Sequence, residues 1–162
     1  MKKRVEIGDA DRRLFEQHYE SLRRFAAVTA PRDVEPDDLL QDALVRVLSH
    51  GPLSDRDHPV AYLRRTIVNL AIDHARRRDT RRAAMSRYAS SRAVVDLYPS
   101  DLDILQELSP RARAIVYLSE IDGYQYSEIA SMLGCNEAAA RMGGMRARRK
   151  LRGILGKEVA HG

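Results

Sequence analysis

Apolar residues recur along this chain at the four-three-four spacing of helices, and little of it alternates as a half-buried strand would. Phe15, Tyr19, Leu22 and Ala26 form a first stripe, in a segment that Asp9 or Asp11 can cap. Leu40, Leu44 and Val47 form a second, opened by Pro36-Asp37-Asp38. Proline suits a first helical turn, and carboxylates there offset the helix dipole. The third stripe starts at Pro59 and aligns Leu63, Ile67, Leu70 and His74. Three amphipathic helices can enclose one small core.

From Asp79 to Asp101 the pattern lapses: Arg, Ser and Ala dominate, and Tyr98-Pro99-Ser100 is a turn signal. Beyond it, Leu102 to Leu108 reads as helix, and Ser109-Pro110 then opens a helix through Ile115, Leu118 and Ile121. After Asp122-Gly123, Ser127 can cap a helix carrying Ile129, Ala130 and Leu133. Gly134 breaks it, and Asn136 can cap a last helix whose Ala140, Gly144, Ala147 and Leu151 face inward. The expected fold is all-α: two small helical domains, residues 9–80 and 102–157, joined by a flexible linker at 81–101.

The last two helices read as a helix-turn-helix, whose second helix enters the major groove of DNA. Its outward face carries Arg141, Met142, Met145, Arg148 and Arg149, and from Arg141 to Lys157 there are seven basic residues and no acidic one. The bland counterpart is an αα-hairpin with a solvated basic face. Overall charge decides little, since 28 basic residues against 23 acidic give only +5. Its distribution says more. Asp33 to Asp42 holds five carboxylates and no basic residue, whereas Ala61 to Arg92 holds nine arginines against Asp73 and Asp79. One acidic and two basic surfaces suit a protein that touches both a protein and a polyanion.

Other classes fall away. One cysteine, Cys135, allows no internal disulfide, and the five histidines show no zinc-ligand spacing. No glycine loop is built to cradle phosphate before a helix, so neither a catalytic centre, a metal nor a cofactor is expected. No apolar run approaches the roughly 20 residues that span a bilayer, and Met1-Lys2-Lys3-Arg4 leads into Glu6, Asp9 and Asp11. A cytoplasmic protein without a membrane anchor, monomeric when free, is expected.

Three segments taken in order resemble a bacterial RNA polymerase sigma factor of the extracytoplasmic-function type. Pro36-Asp-Asp-Leu-Leu-Gln-Asp-Ala-Leu-Val-Arg-Val-Leu48 is similar to the family's acidic helix. The resemblance implies that Asp38, Gln41 and Asp42 contact the clamp helices of the largest subunit of core RNA polymerase. Residues i and i+4 share a helix face, so both carboxylates project together. Pro59 to Arg78 is similar to the segment that captures and melts the minus-ten promoter element. That likeness implies promoter contacts at Tyr62, Arg64, Arg65, Asn69, Arg76, Arg77 and Arg78, with Asn69 reading a base held outside the stack. An aromatic or amide platform flanked by positive charge is what single-strand capture needs. The loop Ser54-Asp-Arg-Asp-His58 corresponds to one that sets minus-ten preference.

The C-terminal half resembles the family's minus-thirty-five reader through Leu105 to Arg113, Glu120 to Ala130 and Arg146 to Leu151. It implies DNA-facing roles for Asn136, Glu137, Arg141, Met142, Met145, Arg146, Arg148 and Arg149. Here the sequence departs from the family pattern: Ala138-Ala-Ala-Arg-Met-Gly-Gly144 replaces a run of small, Thr, Val, basic, Ser, Arg and Leu. Two mid-helix glycines each cost about 1 kcal/mol relative to alanine, so a weaker, frayed recognition helix is expected. The resemblance implies a promoter-specificity subunit of polymerase that catalyses nothing itself and that an anti-sigma factor can hold. Two alternatives are a sigma-like decoy that sequesters an anti-sigma protein, motivated by Gly143-Gly144, and a free-standing helix-turn-helix regulator.

Overall fold

A computed structural model describes residues 6–85 and 101–160. Among the described residues every regular element is helical: α1 (Asp9–Thr29), α2 (Pro36–Leu48), α3 (Pro59–Met85), α4 (Asp101–Leu105), α5 (Pro110–Val116), α6 (Tyr126–Leu133) and α7 (Glu137–Ala160). A single 3₁₀ turn, Leu53–Asp55, links α2 to α3. The centre of the expected linker lies outside the described residues; its first five positions continue α3, and Asp101 already belongs to α4.

Local signals set several helix starts. Pro36 occupies the first turn of α2, and the Ser109 hydroxyl accepts the Ala112 N–H at 3.2 Å beside Pro110. Asn136 caps α7 by accepting the Ala139 N–H at 2.7 Å, and Gly134 ends α6 with φ 68°, a left-handed conformation that suits glycine. Two expected caps fall elsewhere. Gly8, not Asp9 or Asp11, precedes α1, because Asp11 is drawn inward to accept the Ser54 N–H at 2.7 Å. Burial alone would raise the Asp11 pKa, but the bonds from Ser54 and Leu53 outweigh it and hold the carboxyl below its ordinary value. Gln125 rather than Ser127 precedes α6, since Glu128 accepts the Gln125 N–H at 2.8 Å and closes a capping box there.

The helix from Pro110 ends differently from the expected regular run. Tyr117–Ile121 forms a π-helical turn, closed by the Asp122 N–H on the Tyr117 carbonyl at 3.2 Å. Widening the turn turns Ile121 out to solvent and Asp122 toward α3.

The two halves do not keep separate cores. Leu22 and Phe25 of α1 and Leu63 and Ile67 of α3 join Ala114, Ile115, Leu118 and Ile129 in one buried cluster. Phe25 meets Tyr117 edge to face at 6.0 Å between ring centroids. At the seam lies Arg113, only 2% exposed, donating to the Thr29 carbonyl at 2.8 Å and to Gln106 Oε1 at 2.6 Å. Gln106 in turn donates to the Ala30 carbonyl at 3.2 Å. Burial, with Arg78 adding like charge, lowers the Arg113 pKa to about 10. The guanidinium therefore stays charged at neutral pH, capping the carbonyl end of α1 with a residue of the other half.

Candidate functional site

Three surfaces carry the expected residues. On α2, leucines and Ala43 turn to the core, leaving Asp38, Gln41 and Asp42 exposed along one face. Asp37, one step round the helix, is held by Arg23 at 3.0 Å and is reached by the Tyr19 hydroxyl. Asp38 and Asp42 have no ion-pair partner among the described residues. Val45, 55% exposed, completes their face, and sequence reading missed it although i+3 and i+4 spacing pointed there.

On α3, Tyr62, Arg65, Thr66 and Asn69 share one face and line an open pocket of about 390 Å³ with Arg46, Val47 and His50 from the α2 end. The Arg56 guanidinium lies 3.7 Å above the Tyr62 ring, so the loop before α3 holds this aromatic in place. Arg46 and His50 were not singled out from sequence, whereas Arg56 belongs to the loop expected to set minus-ten preference. Arg46 and His50 lie on either side of Val47 at the end of α2, and only the angle between α2 and α3 brings them to Asn69.

The expected basic residues of α3 do not all lie on that face. Arg64 is buried, bonded to Asp122 at 3.3 Å and set between the rings of Phe25 and Tyr124 at 5.5 and 5.6 Å. Arg65 remains exposed, yet its guanidinium lies so close to Gly134 that a Cβ there would collide with it. Arg76 and Arg77 continue the Asn69 face along the helix, both exposed. Arg78 borders the cleft between the halves, with Arg111 and Arg113.

On α7, Ala140, Gly144 and Ala147 are buried as their spacing predicts. The helix runs unbroken from Glu137 to Ala160, which corrects the expected fraying. Its two glycines permit close packing: a Cβ at Gly143 would come within 2.8 Å of Ile115 Cδ1, and one at Gly144 within 2.8 Å of the Tyr126 hydroxyl. Tyr126 then gathers two of the expected DNA-facing arginines. Arg141 pairs with Glu137 at 2.8 Å and sits 5.1 Å from the Tyr126 ring centroid. Arg148 pairs with Glu120 at 2.7 Å, a bond that raises its pKa, and lies 6.0 Å from the same ring. Asn136 and Glu137 are thus engaged in the cap and first turn, while Met142, Met145, Arg146 and Arg149 are exposed.

Comparison with known proteins identifies the family. Residues 14–81 match the model of sigma-70 region 2, and residues 102–151 match that of sigma-70 region 4. The RNA polymerase sigma factor CarQ of Myxococcus xanthus is 32% identical over 158 residues, covering 92% of this chain and 91% of CarQ. The chain belongs to the extracytoplasmic-function sigma factors. The ECF sigma factor SigM of Mycobacterium tuberculosis is 30% identical over 148 residues, covering 88% of this sigma factor and 76% of SigM. The fold is shared with the sigma factor RpoE of Bartonella quintana, solved in complex with the anti-sigma factor NepR. The TM-score is 0.65 at 20% identity, with 89% of this sigma factor and 95% of RpoE covered. No helix among the described residues is long and apolar enough to cross a membrane, and no group of His, Cys, Asp and Glu there could hold a metal ion.

Proposed function

We propose that this sigma factor, working in the cytoplasm without catalytic chemistry of its own, docks on core RNA polymerase through the α2 face of Asp38, Gln41, Asp42 and Val45. It then captures a minus-ten base in the Tyr62–Asn69 pocket and anchors α7 at the minus-thirty-five element. The observation that carries this reading is the pocket. An aromatic ring, an amide and a hydroxyl line an open hollow bordered by Arg46 and Arg65, which is the chemistry a base drawn out of the stack needs. Free carboxylates beside an exposed valine on α2 supply a separate protein-docking face.

The decoy reading loses its motive, because Gly143 and Gly144 serve packing against Ile115 and Tyr126 rather than marking a decayed helix. An anti-sigma factor remains a partner of the kind this fold accepts, as the RpoE complex illustrates. Transcription with purified core polymerase on a promoter library tests the proposal. Specific initiation should appear with wild type and vanish, with core affinity, in the Asp38→Arg/Asp42→Arg double variant. Initiation no better than core alone would refute it.

A further inference from the structure

We infer that α7 reads thymine methyl groups in the minus-thirty-five element through Met142 and Met145, its arginines serving the phosphates. This deepens the promoter-reading role and rests on it. The outward face of a recognition helix holds few positions that reach base edges, and guanine is normally read there by a free bidentate arginine. In this protein two of those arginines have partners within the chain. Arg141 is tied to Glu137 and lies over Tyr126, and Arg148 is tied to Glu120 beside the same ring.

Beside them on the outward face stand two exposed methionines. Met142 and Met145 are 46% and 49% exposed, one helical turn apart, with exposed Ala138 a turn before Met142. A long thioether exposed in water gains from an apolar partner, and the major groove offers one, the thymine 5-methyl. The surroundings point to the same occupant. Exposed Arg146, Arg149 and Arg152 flank the methionines, and no acidic residue occurs from Arg141 to Lys157, as a helix lying between phosphate backbones requires.

The experiment uses holoenzyme assembled from core polymerase and the full chain. A minus-thirty-five element is first selected from randomised duplexes, and each thymine is then replaced by deoxyuridine, which removes the methyl and nothing else. Each contacted methyl should contribute about three- to fourfold in affinity. That loss should disappear in Met142→Ser/Met145→Ser and persist in Met142→Leu/Met145→Leu, while Arg141→Ala leaves the selected sequence unchanged. Deoxyuridine duplexes bound as tightly as thymine ones, with initiation intact, would overturn the methyl readout alone. Absence of both a selected element and initiation would overturn the sigma reading and this inference with it.

Discussion

Tyr62 illustrates what one side chain can be asked to do. It is exposed at the start of α3, stacked under Arg56, and shares its pocket with Asn69 and Thr66. Stacking on an aromatic contributes about 1–3 kcal/mol per base. Tyr62→Ala should therefore weaken holoenzyme binding to single-stranded minus-ten DNA by about five- to 150-fold, and Tyr62→Phe should leave it near wild type. Asn69→Ala should instead flatten the preference among bases at one position, read in a competition assay with the four alternatives. Equal loss for all four bases would argue against an amide that reads an edge. Asp11 is a residue of the opposite kind, buried and structural. Its folded pKa is depressed, so its contribution is fully present above its unfolded value, near 3.8, and is lost as pH falls through the lower folded value. Asp11→Ala leaves the Ser54 N–H without its acceptor and should cost about 1–3 kcal/mol in urea unfolding at neutral pH. The gap to wild type should narrow in acid.

The helices show which features local sequence carries. Pro36, Ser109, Gly134 and Asn136 act on their own turn of backbone, so each was legible from a few neighbouring residues. The inward swing of Arg64 and the engagement of Arg148 depend on partners far along the chain, such as Asp122, 58 residues beyond Arg64. No local pattern reports such pairs. The glycines of α7 were misread for the same reason: propensity marks a cost but not what fills the space beside them. A Cβ at Gly144 would come within 2.8–3.2 Å of the Tyr126 hydroxyl and ring, a stiff neighbour, whereas one at Gly143 would meet only the movable tip of Ile115, and at Gly153 and Gly156 it would meet nothing within 4 Å. The four positions should respond differently to alanine. Gly144→Ala should destabilise by about 1–3 kcal/mol through overpacking, and Gly143→Ala should be near neutral. Gly153→Ala and Gly156→Ala should each stabilise by about 0.5–1 kcal/mol as helix propensity takes over. Thermal unfolding of the four single variants checks the order, and a stabilising Gly144→Ala would contradict the packing role.

At the scale of the molecule, the two halves hold each other in a form that cannot span a promoter. Elements named for minus ten and minus thirty-five lie roughly 80 Å apart along a duplex. Here the loop and start of α3, with Arg56, His58, Tyr62 and Arg65, share one hollow with Glu128, Ser131 and Met132 of α6. On the proposed reading the halves separate when polymerase and DNA are engaged, and separation would free Arg64 and Arg65 for the promoter. The Arg64–Asp122 pair is the place to test this, because it joins the halves through a buried guanidinium. Asp122→Arg sets like charges against each other there. Small-angle scattering of the free chain should rise from the radius of gyration near 15 Å expected of a compact chain this long to a larger value. Affinity for minus-ten single strands should rise with it. Restoring opposite charge with Arg64→Asp in the same chain should recover the compact radius, which separates a broken contact from general misfolding. An extended wild-type chain, or a charge swap that fails to close it again, would show that this seam does not hold the halves together.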